Sequence, residues 1–176
     1  MNTQATLDLL RQLKLKGMAD CYQAIVELPV NRHPAAHELI AQLTQSEEQR
    51  RRTEKMKLFL RLSKLRYNTL LEEITCSSKR NLSQEQLLML ADCSYITRGQ
   101  NILITGATGC GKSYLACALG HQACVKGYRV LYLNMNRFME KINTAKLDGS
   151  YLNILNQMEK THLVILDDFG LQPLEH

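Results

Sequence analysis

The chain has 176 residues, enough for one ordinary domain or for a small domain and part of a second. Apolar residues make up 45% of it, which argues against a disordered chain. Net charge is +5 and unevenly spread: residues 1–100 hold 15 Lys+Arg against 11 Asp+Glu, residues 101–176 hold 7 against 6.

The N-terminus carries no long apolar run, because Met1–Leu10 is followed at once by Arg11, Lys14 and Lys16. That pattern predicts neither a signal peptide nor a membrane span. Thr3 is placed to cap a short helix bearing Leu7, Leu10 and Leu13, with Gly17 as its stop. Met18–Leu28 reads as a second helix ended by Pro29, and Pro34 suits the first position of a third. From Pro34 the apolar spacing runs on through Leu39, Leu43, Met56, Phe59, Leu60 and Leu65. Ser83 and Gln86 form a capping box ahead of Leu87–Leu90, and Thr97–Gly99 reads as a turn.

At Asn101 the period changes. Ile102–Thr105, Val130–Leu133 and Leu163–Leu166 are short apolar runs of the kind that form buried strands. Helices are predicted over about 113–126, 137–147 and 151–160, with Gly127 and Asp148-Gly149 as breaks. Strands alternating with helices imply an α/β fold with a parallel sheet covered on both faces. The boundary falls near residues 95–100, giving an all-α region over 1–96 and an α/β region over 97–176.

Cys21, Cys76, Cys93, Cys110, Cys117 and Cys124 show neither C-x-x-C nor zinc spacing. Scattered thiols of this kind fit a reducing cytoplasm.

Gly106-Ala107-Thr108-Gly109-Cys110-Gly111-Lys112-Ser113 fits the phosphate-loop pattern G-x-x-x-x-G-K-[ST]. Glycines let successive N–H groups turn inward toward phosphate oxygens. A following helix adds its positive N-terminal end. Lys112 is free to reach the β- and γ-phosphates, and the Ser113 hydroxyl suits Mg²⁺. The candidate nucleotide-binding set is Gly106, Ala107, Thr108, Gly109, Cys110, Gly111, Lys112, Ser113 and Tyr114, with ATP and Mg²⁺ as the expected ligands. Downstream, Leu163-Val164-Ile165-Leu166 runs into Asp167 and Asp168. A strand ending in acid beside a phosphate loop places Asp167 at the metal, with Ser113, and Asp168 at the attacking water, so Lys112 and Asp168 are the candidate catalytic residues. Asp168-Phe169-Gly170 also spells a protein-kinase tripeptide, but the chain has neither H-R-D nor G-x-G-x-x-G.

Arg50, Arg51, Arg52, Lys55, Lys57, Arg61, Lys64 and Arg66 share residues 50–66 with one acid, Glu54. On a helix they make a cationic rod suited to nucleic-acid phosphates. The alternative is a solvated face that pairs with Glu47, Glu48, Glu72 or Glu73.

ITGATGCGKSYLACALG at 104–120 and LVILDDFGLQPL at 163–174 resemble the IstB-like helper ATPases of bacterial insertion sequences. These are relatives of the DnaC helicase loader and the DnaA initiator within the AAA+ class. LDLLRQLKLKGMADCY at 7–22 carries the same resemblance, which spans the whole chain. It implies an ATP-dependent helper of DNA transposition with an AAA+-like P-loop NTPase domain. Such a helper binds duplex DNA, self-associates through its ATPase domain and helps deliver a cognate transposase to its target. The eight basic residues above are the expected DNA contacts. Many AAA+ proteins carry Glu where this chain has Asp168. The family pattern continues past the acidic motif with a sensor strand and an arginine finger, so a C-terminally incomplete sheet and little ATP turnover are expected of these 176 residues. The competing expectations are a helicase loader, which DDFG disfavours, and a small-molecule kinase, which the basic helical region disfavours.

Overall fold

The computed structural model describes residues 2–77 and 80–170. They form two compact units that divide between Lys55 and Met56.

The first unit holds α1 (Thr3–Gln12), α2 (Lys16–Val26) and the start of α3 (Ala36–Ser63), with a 3₁₀ turn at Val30–Arg32. Leu7, Ala19 and Ile25 are buried here. The cap of α1 is Asn2, whose side chain accepts from the Gln4 N–H at 3.4 Å; Thr3 is the first helical residue instead. Pro34 likewise lies outside α3, which begins at Ala36. Gly17 does not stop a helix. It lies inside α2, buried against α3, where a Cβ would stand 2.7 Å from the Glu47 Cα. The glycine is there for close approach of two backbones, which a local pattern cannot reveal.

Glu47 is only 5% exposed, and its partners explain why a carboxylate is tolerated there. Leu15 supplies no side-chain cap to α2. The Glu47 carboxylate takes that place, accepting from Gly17 N–H at 2.7 Å and Met18 N–H at 3.4 Å. Ser46 Oγ donates to the Gly17 carbonyl at 2.9 Å. Arg50 and Arg51 complete the cluster, their nitrogens 3.1 and 2.7 Å from Glu47 Oε1.

The second unit begins with the rest of α3. Phe59, 7% exposed, enters a core with Cys93, Tyr95, Ala123, Cys124 and Val130, flanked by Leu60, Leu65, Leu90, Leu163 and Ile165. Residues 56–96 belong to this second unit, which therefore begins well before the change of sequence period at Asn101. A 3₁₀ turn at Leu71–Glu73, α4 (Gln84–Ala91) and α5 (Ser94–Thr97) follow. The Ser83–Gln86 capping box forms as expected, with reciprocal bonds of 3.1 and 2.9 Å.

Then come α6 (Lys112–Val125), β1 (Val130–Asn134), α7 (Met135–Asp148), α8 (Tyr151–Glu159) and β2 (Leu163–Asp167). β1 and β2 pair in parallel, in a register from Val130↔Leu163 to Asn134↔Asp167. The helix α6 packs on both strands and α7 on β1. Parallel pairing with helices between the strands is the α/β architecture that the sequence implies.

One expected strand is missing. Residues 102–105 pair with no strand among the described residues, and Leu103 is 83% exposed. An apolar, β-branched run has strand propensity, but a strand also needs a neighbour for its N–H and C=O groups. The six cysteines are all free. No helix among the described residues is long and apolar enough to cross a membrane. The motif residues after Gly170 lie outside the described residues.

Candidate nucleotide site

Residues 105–111 form an exposed loop that feeds directly into α6. Gly111 caps that helix at φ +91°, a left-handed conformation that costs any side-chain-bearing residue about 1 kcal/mol or more. No side chain caps α6. Its first N–H groups thus remain available to an anion, and the helix dipole adds positive potential at the same point.

The Lys112 ammonium folds back over the loop, donating to the Gly106 carbonyl at 2.9 Å and the Ala107 carbonyl at 2.8 Å. One residue on, Ser113 Oγ donates to Asp167 Oδ1 at 2.8 Å, although 54 residues separate them. This contact joins the start of α6 to the end of β2. A hydroxyl and a carboxylate at that separation are hard oxygen donors that a divalent cation can share. Among the described residues no group of three or more His, Cys, Asp and Glu side chains has metal-holding geometry. A cation at this pair would complete its shell with phosphate and water oxygens, as Mg²⁺ characteristically does.

Asp167 Oδ2 accepts from the Tyr132 hydroxyl and lies 3.6 Å from Arg66 Nη1. Burial pushes this carboxyl upward. The bonds from Tyr132, Ser113 and the Asp168 N–H, with the Arg66 charge, outweigh burial and hold it below its usual range. Burial, and then the Asp167 carboxylate, push the Tyr132 phenol above its usual value, so it remains a donor.

Asp168 sits at φ +58°, which turns the chain sharply after β2. Its Oδ2 accepts from Asn134 Nδ2 at 2.7 Å. The other end of the same amide accepts from the Arg137 N–H at 3.3 Å and so caps α7. Asn134 therefore ties the second acid to the start of a helix.

Tyr114 follows Ser113 and points elsewhere. Its hydroxyl donates to Glu73 at 2.9 Å, and its ring lies 5.9 Å from that of Tyr67. Glu73 also accepts from the Leu70 N–H at 3.0 Å and Thr69 Oγ1 at 2.9 Å, contacts that lower its pKa.

The structure thus joins Ser113, directly after the loop 106–112, to Asp167, while the next residue, Asp168, meets Asn134. It does not keep the eight basic residues as one set. Arg50 and Arg51 are engaged by Glu47, and Arg50 also by Glu54 at 2.6 Å. Arg66 has joined Asp167. Arg52, Lys55, Lys57, Arg61 and Lys64 are exposed. Three contributors to the acidic end were not read from sequence in that role: Arg66, Tyr132 and Asn134. The last two carried a signal. They alternate with Leu131 and Leu133, so the strand turns two polar side chains to one face.

Comparison with known proteins gives the same direction. The family model described as IstB-like ATP binding protein matches residues 8–176. An ATP-binding protein of insertion sequence IS1162 from Pseudomonas fluorescens is 38% identical over 99% of this chain and 76% of its own length. Two insertion-sequence ATP-binding proteins of Sinorhizobium fredii are similar: y4uH at 36% identity over 97% of this chain and 68% of its own, y4pL at 33% over 99% and 71%.

Proposed function

The chain belongs to the IstB-like ATP-binding protein family of insertion sequences, and from that premise we propose that it binds ATP with Mg²⁺ as a helper of DNA transposition. The observation that carries this reading is the 2.8 Å contact between Ser113 Oγ and Asp167 Oδ1, which sets a metal-suited pair beside the loop of Lys112. The N–H groups of residues 106–114 cradle the polyphosphate, and Lys112 leaves the Gly106 and Ala107 carbonyls for the β- and γ-phosphates. Ser113 and Asp167 hold Mg²⁺, which would neutralise phosphate charge. Asp168, steadied by Asn134, accepts a hydrogen bond from the attacking water. Titration of a fluorescent ATP analogue, with and without Mg²⁺, tests the site: saturable, Mg²⁺-enhanced binding is expected, and no binding in either condition would reject it.

In this reading the helical region contacts duplex DNA and a cognate transposase, and the ATPase part self-associates. The family context supports the transposition setting, and charge supports the DNA contact. Lys57, Arg61 and Lys64 are exposed and make no ion pair among the described residues; Lys57 and Arg61 stand at i and i+4 on α3, and Lys64 directly follows its last residue. Replacing all three with Ala should weaken duplex binding and reduce its salt slope by about 2–3, at about 0.9 per phosphate contact. Binding isotherms at several salt concentrations measure this. A slope equal to that of the parent protein would make these residues a solvated face. Arg50 and Arg51 are unsuitable probes, because their loss disturbs Glu47 as well.

A further inference from the structure

We propose that Arg66 is the built-in counter-ion of Asp167, occupying the carboxylate until a divalent cation displaces it. The position of Arg66 is imposed by its neighbours. Helix α3 ends at Ser63, Lys64 turns the chain at φ +55°, and the segment 67–73 is fastened to α6. The Tyr67 ring meets Tyr114 at 5.9 Å, and buried Thr69 donates to Glu73, the acceptor of the Tyr114 hydroxyl. Between these anchors the Arg66 guanidinium lies over Tyr67, its Cζ 5.2 Å from the ring centroid. Its Nη1 is 3.6 Å from Asp167 Oδ2.

Both Asp167 oxygens are thereby engaged, Oδ1 by Ser113 and Oδ2 by Tyr132 and Arg66. A cation entering between Ser113 and Asp167 meets the Arg66 charge a few ångströms away. Attraction of the guanidinium to the carboxylate and its repulsion of the cation both weaken metal binding. The Arg66 side chain is half exposed, so solvent screens the effect and keeps it modest. Lys112 is turned toward the loop carbonyls and Arg66 toward the acid, so the two cations serve opposite ends of the site.

The inference rests on Asp167 being the metal carboxylate, and the test separates the two. Mn²⁺ binding in saturating ADP, followed by electron paramagnetic resonance, is compared in the parent protein, Arg66→Gln and Arg66→Lys. Arg66→Gln should bind Mn²⁺ about threefold more tightly, with the difference shrinking as salt rises. Arg66→Lys keeps the charge and should stay closer to the parent. Equal or weaker Mn²⁺ binding in Arg66→Gln, beside normal ADP binding, would overturn the counter-ion role alone. So would an equal gain in Arg66→Lys. Absence of both ADP and Mn²⁺ binding in the parent would overturn the site itself. In the unaltered protein, the Arg66 Nε–H NMR signal should move on adding Mg²⁺ to the ADP-bound state. A stationary signal under confirmed Mg²⁺ binding argues against displacement.

Discussion

Lys112→Ala is expected to weaken ATP binding by about a hundredfold or more. In the proposed site the side chain is the only charge that the loop would bring to the phosphates, and charge-assisted hydrogen bonds contribute roughly 1.5–3 kcal/mol each. Two of them, less the carbonyl contacts given up at Gly106 and Ala107, leave about 3 kcal/mol, and each 1.4 kcal/mol is about tenfold. The fold should be indifferent, since those carbonyls lie in an exposed loop where water replaces the ammonium. Nucleotide titration together with nucleotide-free thermal unfolding checks both halves. Parent-like affinity in the variant would contradict the site, and a large loss of thermal stability would move the effect from binding to folding.

Glu47→Gln should destabilise the first unit and flatten its acid response. Hydrogen bonds from Arg50, and then from Arg51 and the Gly17 N–H, outweigh burial and hold this carboxyl at about 2 against an ordinary 4.5. Because the folded value is the lower one, the stabilisation is complete above about 4.5 and is lost as pH falls toward 2. The amide still offers one acceptor, but it no longer balances two guanidinium groups. Removing the acceptor altogether, in Glu47→Ala, leaves the α2 N-terminus uncapped and should cost about 1–3 kcal/mol. Thermal unfolding followed by circular dichroism between pH 7 and 2 is the measurement. A Glu47→Gln variant that keeps the parent's stability loss between pH 4.5 and 2 would show that another group governs it.

The turn from loop to helix at 106–112 was legible from sequence because its determinants are local. Glycines, a lysine and a following helix start occupy consecutive positions, and Lys112 opens α6 as the motif requires. The Ser83–Gln86 box and the strands at Val130 and Leu163 were legible for the same reason. Where the outcome depended on a distant partner, the pattern misled. Gly17 looked like a stop signal but is a contact point for Glu47, 30 residues away. Residues 102–105 had the composition of a strand but no neighbour to pair with among the described residues. Arg50, Arg51 and Arg66 looked like one basic run, yet nearby acids divide them between two separate tasks.

The sequence by itself determined the groups on offer: a glycine-rich loop running into a helix, two acids at a strand end and a basic helix. Backbone turns, helix starts and charge are set within a few residues. Only the tertiary structure decided which of these groups meet. Ser113 reaches Asp167 because α6 and β2 pack together, and Tyr132 and Asn134 reach the two acids because β1 lies beside β2 in one particular register. Such meetings depend on packing between segments far apart in the chain, and no local periodicity encodes them.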